Sequence, residues 1–239
     1  MATILQSGAS LVLTDKSLRA EVQVRPGQLI CFVDNPRLEF VKLMWDFVVE
    51  TTPTFVKPPR GCYVGPGVHI EEGCTFGDNV RLVGNIYIYS NTRIGSNVVI
   101  KPAAVIGGQG FGNMLDEKGR LLHFPHIGGV IIEDDVRIGS GTCVDRGVLG
   151  DTVIKQGACI DNLVHVAHNV RIGRQVRVIA NVMIGGSTVI GDNSWLAPST
   201  DLKDGLTIGN NAVTGMSSCV VRDVPESTLV YGVPAKAKT

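Results

Sequence analysis

Aromatic side chains are scarce in this chain. Its 239 residues include 7 Phe, 4 Tyr and 2 Trp, 5% in all, which argues against a globular core built on large rings. Net charge is also absent, 22 Lys and Arg standing against 22 Asp and Glu. Nothing in that balance points to nucleic acid or an anionic membrane as partner. No apolar run is long enough to span a bilayer and no signal-peptide pattern opens the chain, so membrane insertion is not expected and a cytoplasmic setting is. The six cysteines (Cys31, Cys62, Cys74, Cys143, Cys159, Cys219) include no CxxC pair. Disulfides are not expected, and Cys62 and Cys74 read as small core residues. Glycine is what the chain has in excess, 29 residues.

What fills the sequence is a period of six. Aliphatic residues recur at Val64, Ile70, Phe76, Leu82, Ile88, Ile94, Ile100 and Ile106, again at Ile132, Ile138 and Val144, and from Ile154 every sixth residue to Ile208. Neither a helix nor an ordinary strand sustains that period. A parallel β-helix does. Two residues before each aliphatic position stands a small or β-branched one, such as Val80, Thr92, Val98, Val164, Val170 or Val182. Positions two apart share a face of a strand, so each short flat segment sends two side chains inward. Gly and Asn at the following positions suit tight corners. Three hexads make one triangular coil, and coils stack at roughly 4.8 Å.

The chain divides on this basis into three parts. Residues 1–57 lack the hexad and read as a small α/β module. Leu11–Leu13, Glu21–Val24 and Leu29–Val33 are its expected strands. Asn35 caps an expected helix with Pro36 at its first position and Leu38, Val41, Met44, Trp45 and Val48 on one face. Residues 58–224 form the β-helix, interrupted by a loop at 107–131 and by four extra residues between Val144 and Ile154. Residues 225–239 are a tail that should close the last coil. The expected fold class is mainly β, a parallel β-helix with a small α/β module ahead of it.

Several pieces carry a family likeness: Gly110-Phe111-Gly112, Val144-Asp145-Arg146-Gly147, Asp151-Thr152-Val153-Ile154, Ile160-Asp161-Asn162, Ala167-His168-Asn169-Val170 and Thr214-Gly215-Met216. Together they resemble the UDP-3-O-(3-hydroxyacyl)glucosamine N-acyltransferases of lipid A synthesis, and Phe32-Val33-Asp34-Asn35-Pro36 resembles part of that family's uridine-binding module. The resemblance implies a homotrimer of left-handed β-helices with active sites between subunits. It implies acyl transfer from a pantetheine thioester to the amine of a nucleotide-linked sugar.

An amine attacking a thioester must lose a proton, and a histidine is the natural base near neutral pH. His168 follows inward Val166 by two residues, which puts it at an outer corner, and it matches the family's catalytic histidine. Asp161 matches a family carboxylate expected to support that base. Gly186 matches the position whose N–H would hold the oxyanion. Eighteen residues separate Gly186 from His168, one full coil. His165 points outward beside the base and reads as a second wall residue for the substrate. The pair His165-x-x-His168 lacks the further ligands of a closed metal site, so no metal is expected. By resemblance, Phe32 and Asn35 would hold the nucleotide.

The sequence departs from the family in three places. Leu38 stands where the family's second stacking aromatic, a tyrosine, would be. A second family histidine falls at Gly205. The ending, Tyr231-Gly232-Val233-Pro234-Ala235-Lys236, resembles acetyl-CoA-dependent sugar acetyltransferases, where Lys236 and Lys238 would lie beside the CoA phosphates. These departures favour an N-acetyltransferase of surface-glycan synthesis using acetyl-CoA or another short acyl-CoA. Two alternatives stand beside it: an acyl-carrier-protein-dependent enzyme of lipid A synthesis, and a catalytically silent β-helix scaffold.

Overall fold

The computed structural model describes residues 7–49, 52–56 and 60–237. The chain separates into two compact units, one made of residues 1–51 with 111–125, the other of 52–110 with 126–239.

The larger unit is a parallel β-solenoid of two- to four-residue strands. Its first face begins with Tyr63–Val64 and continues Arg81–Leu82, Val99–Ile100, Arg137–Ile138, Cys159–Ile160, Arg177–Val178, Trp195–Leu196 and Val213–Thr214. The second face runs from His69–Ile70 to Cys219–Val220, and the third from Thr75–Phe76 to Thr207–Ile208. Register is kept by the hexad: Leu82 stacks on Ile100, Ile138 on Ile160, and Ile160 on Val178. A one-residue slip would turn every aliphatic side chain outward. The inward residues Leu82, Ile88, Ile100, Ile106, Ile132, Ile138, Ile154, Ile172 and Ile184 are fully buried in one continuous column. At the corners Asn79, Asn97, Asn169, Asn193 and Asn211 take left-handed backbone angles, which the short amide side chain tolerates. All six cysteines are free, and Cys62 and Cys74 pack against the core.

The tail adds Leu229–Tyr231 to the first face in parallel, and Lys236–Ala237 returns antiparallel to it. Lys238 lies outside the described residues.

In the smaller unit β1 (Leu11–Asp15) pairs in parallel with β2 (Leu29–Val33). The expected strand Glu21–Val24 is instead a turn and irregular chain. Glu21 and Val22 N–H both donate to Leu18 C=O, and Val24 is 56% exposed. A parallel pair needs a crossover, and this segment supplies it rather than a third strand. Helix α1 (Pro36–Phe47) starts as the sequence indicates, with Asn35 Oδ1 accepting the Leu38 N–H at 3.0 Å. Leu38, Val41 and Met44 are its buried face, while Trp45 and Val48 are exposed.

The loop after Ile106 is not wholly irregular. Its strands Asn113–Leu115 and Leu121–His123 form an antiparallel hairpin that belongs to the smaller unit. Trp45 Nε1 donates to His123 C=O at 2.9 Å, the Arg37 guanidinium lies over the Phe124 ring, and Lys42 pairs with Glu39 and Glu117. The module and the hairpin therefore belong to one unit.

Candidate active site

Both interruptions of the hexad, and His168, leave from the same edge of the prism, the turn from the second face to the third. Strands Val105–Gly108, Cys143–Asp145, His165–Val166 and Met183–Ile184 stack in that order on the second face. The residues just past them are therefore brought together: Gly110 and His126 at the root of the hairpin excursion, Asp145 at the second interruption, then His168, then Gly186.

Gly186 sits one coil beyond His168, as the spacing of eighteen indicates. Ser187 N–H donates to His168 C=O at 2.8 Å, which fixes the stacking. A Cβ built on Gly186 would lie 2.7 Å from Cε1 and 2.8 Å from Nε2 of the His168 ring. The left-handed turn residue at this corner is Ser187, with φ 61°. Glycine at 186 is thus required by space, because the imidazole occupies the place of a side chain. The other side of the ring meets Gly110, where a Cβ would lie 3.2 Å from His168 Cδ2 and 2.7 Å from His126 Nε2. His126 is 1% exposed, and its ring meets that of His168 edge to face with centroids 5.1 Å apart. Gln109 ties the neck of the excursion: its side-chain oxygen accepts from His126 N–H at 2.8 Å and its amide donates to His126 C=O at 3.2 Å.

Asn169 orients the His168 ring. Its Oδ1 accepts from Val148 N–H at 3.0 Å and its Nδ2 donates to Gly150 C=O at 3.4 Å, which fixes the amide's orientation. His168 Nδ1 is 3.2 Å from that Oδ1. An amide oxygen only accepts, so the contact puts the proton on Nδ1 and leaves Nε2, the atom beside Gly186, with a free lone pair.

Several edge amides elsewhere are capped by the next coil. On the turn from third face to first, Ser96 N–H donates to Asp134, Arg174 N–H to Asp192, and Asp192 N–H to Asn210, all at 2.7–2.9 Å. Gly186 takes the place of such an acceptor above His168. Among the described residues neither the His168 N–H nor the Gly186 N–H meets an acceptor. These amides are free to bind an incoming anion.

The carboxylate near His168 is Asp145, 9% exposed, with Oδ2 3.5 Å from His165 Nε2. Burial pushes its pKa up to about 6, and the His168 charge pulls the other way. Burial also lowers the His165 pKa, so the His165–Asp145 contact joins a neutral ring to a carboxyl group. The structure places Asp161 elsewhere. It follows the first-face strand Cys159–Ile160, one edge before His168, with Asp161 N–H in the ladder and its C=O accepting from Thr142. Among the described residues of one protomer, Asp145 is the carboxylate whose electrostatics couple to His168. The clue available in the sequence was stacking: Val144 pairs with Val166, so the residue after Val144 lies beneath the residue before His168. His126 gave no such clue, because the excursion breaks the count.

The other expected residues are dispersed. Phe32 and Asn35 lie in the smaller unit. Arg19 covers the Phe32 ring at 5.6 Å, Asn35 Oδ1 is engaged by the helix cap, and Leu38 is a core residue, 3% exposed. Lys236 is exposed on the first face, beside the coil of Leu229–Tyr231, four coils or roughly 19 Å beyond that of His168 at strand spacing.

No family model matches the chain. Curated relatives do. A Coxiella burnetii protein named UDP-3-O-acylglucosamine N-acyltransferase is 34% identical over 243 residues, covering 89% of this chain and 70% of that one. Proteins of the same name from Caulobacter sp. and Anaeromyxobacter dehalogenans are 43% and 41% identical over 143 and 131 residues. These alignments cover 60% and 53% of this chain, but only 42% and 37% of those proteins. Among solved structures, UDP-N-acetylglucosamine acyltransferases from Francisella novicida and Campylobacter jejuni align with TM-scores of 0.68 and 0.62 at 23% and 20% identity. They cover 75% and 76% of this chain and 64% and 71% of those chains. That likeness establishes the fold, a left-handed parallel β-helix. None of these names refers to acetyl transfer in surface-glycan synthesis.

Proposed function

We propose that this chain, which belongs to the UDP-3-O-acylglucosamine N-acyltransferase family, performs the reaction for which that family is named: acylation of the glucosamine amine of a UDP-3-O-acylglucosamine in lipid A synthesis. This replaces the acetyl-CoA, surface-glycan reading with the first of its alternatives. Acyl carrier protein is the donor proposed here, through its pantetheine thioester, and the assembly proposed is a homotrimer. No helix among the described residues is long and apolar enough to cross a membrane.

The observation that carries the reading is the imidazole of His168 held between Gly186 and Gly110 with its Nδ1 on Asn169. Nε2 takes a proton from the amine as the nitrogen attacks the thioester carbonyl. The carbonyl oxygen gains charge and accepts from the free Gly186 N–H. The imidazolium then gives its proton to the departing thiolate, and the amide product forms. A well-placed base is worth about 10²–10⁴ in rate, and one oxyanion donor about 2.7–4 kcal/mol. Phe32 and the free amide hydrogens of Asn35 would contact the nucleotide in the smaller unit, with Arg19 moving from the ring face. Asp161, at the neighbouring edge, would reach a His168 only across a subunit boundary. Lys236 and Lys238 remain candidates for the donor's phosphate.

A donor assay tests the reading. The purified protein is given UDP-3-O-acylglucosamine with either a hydroxyacyl carrier protein or acetyl-CoA. Turnover with the carrier protein and none with acetyl-CoA is expected. The opposite result restores the acetyltransferase reading, and no turnover with either, in protein that binds neither, supports the scaffold.

A further inference from the structure

Among the described residues Asp145 is the buried carboxylate beside the base, and the acyl-transfer scheme leaves it without a part. Its strand, Cys143–Asp145, lies directly beneath His165–Val166. The groups that face it are neutral or transiently charged. His165 Nε2 is 3.5 Å away and held neutral by burial. The Cys143 thiol, on the same strand, is pushed up by burial and by Asp145 itself. The next residue, Arg146, turns its guanidinium away, donating from Nε to Gly107 C=O at 2.7 Å and from Nη2 to Ser90 C=O at 2.8 Å. Asp151 pairs with Arg93 instead. On the far side of the His168 ring stands His126. No permanent cation therefore neutralises Asp145 among the described residues, and His168 is the group whose charge acts on it.

We propose that Asp145 is a positioning residue for acyl transfer: its carboxylate, buried one coil below, is the counter-charge for the imidazolium that His168 becomes between taking the amine proton and giving it to the leaving thiolate. The inference rests on His168 being the base. The proton balance is closed, since the proton leaves nitrogen, resides on Nε2 and ends on sulfur. Asp145 acts through the ring and touches neither substrate. Its partner His165 holds it at the wall of the site without cancelling its charge.

The test uses the full chain, with kcat and KM against pH for wild type, Asp145→Asn and Asp145→Glu, and with histidine ring titrations followed by NMR in the same proteins. Asp145→Asn is expected to lower kcat about 10- to 100-fold with KM little changed. It should also move the acid limb of kcat/KM and the His168 ring titration down together by about one pH unit, the size of a near-charge effect. Asp145→Glu should restore most of kcat. A ring titration that does not move overturns the proposal and leaves His168 as base. A ring titration that moves while the acid limb stays overturns the base assignment, and the proposal with it. Should Asp145→Asn fail to fold, the wild-type protein decides: coupled titration of the Asp145 carboxyl carbon and the His168 ring supports the proposal, and independent single-step curves overturn it.

Discussion

Two edges of the same prism are built from the same repeat and do different work. On the turn from third face to first, side chains form ladders: Asn79 donates to Asn97, Asn97 to Asp135, and the amides of Ser96, Arg174 and Asp192 are capped from the next coil. At those positions that edge is sealed. On the turn from second face to third no side chain caps the His168 amide, because Gly186 above it has no side-chain acceptor to offer. The room released is filled by an imidazole, and the backbone amides stay open. A solenoid edge is a stack of potential anion sites, and the side chain in the next coil decides whether each is closed for stability or left for chemistry.

The strongest way to break this contrast is His168→Ala. It should lower kcat at least 10²–10⁴-fold with the circular dichroism spectrum and oligomeric state unchanged, and near-normal turnover would remove the base. Gly186→Ala puts a methyl group 2.7–2.8 Å from ring atoms of His168. It should lower kcat by an amount comparable to losing an oxyanion donor, about 2.7–4 kcal/mol. Gly173→Ala on the sealed edge, where a Cβ would meet Asp192 N at 2.7 Å, should lower the melting temperature and spare kcat. Equal loss of activity in both variants would erase the distinction between the edges.

The pKa of Asp145 adds a stability test. Its folded value, about 6, lies above the ordinary aspartate value of 3.8. The folded state therefore holds this proton more tightly, so the contribution is full below pH 3.8 and is lost as pH rises through 6. The loss is complete by neutral pH. Asp145→Asn should accordingly melt higher than wild type at pH 7.5, with the advantage gone at pH 3.5, even as its activity falls. An equal difference at both pH values would argue against the buried anion. The smallest effect expected is that of Asp192→Ala. Removing the cap on Arg174 N–H should cost about 1 kcal/mol in denaturant unfolding with kcat unchanged. A measurable loss of kcat would show that the sealed edge reaches the site.

The hexad made most of this legible. Each coil of three hexads spends eighteen residues, so the core column, the outward placement of His168 and the position of Gly186 above it all follow from counting. Counting fails where the coil is interrupted. Asp145 lies twenty-three residues before His168, out of phase with the repeat, whereas Asp161 sits in an unbroken run and therefore stands one edge away. His126 returns to the coil only after the hairpin, at a point no period marks. The segment Glu21–Val24 has the composition of a strand, but the parallel pairing of β1 with β2 uses it as the crossover.

By itself the sequence determined the prism, its inward column and the corner that carries the imidazole, because a short repeat acts through neighbours of fixed spacing. Only the tertiary structure decided which carboxylate accompanies that imidazole, which residues wall it, and that the hairpin joins the N-terminal module. Those pairings join segments whose separation the repeat does not set, and they depend on where each excursion rejoins the coil and on what burial does to the charge it finds there.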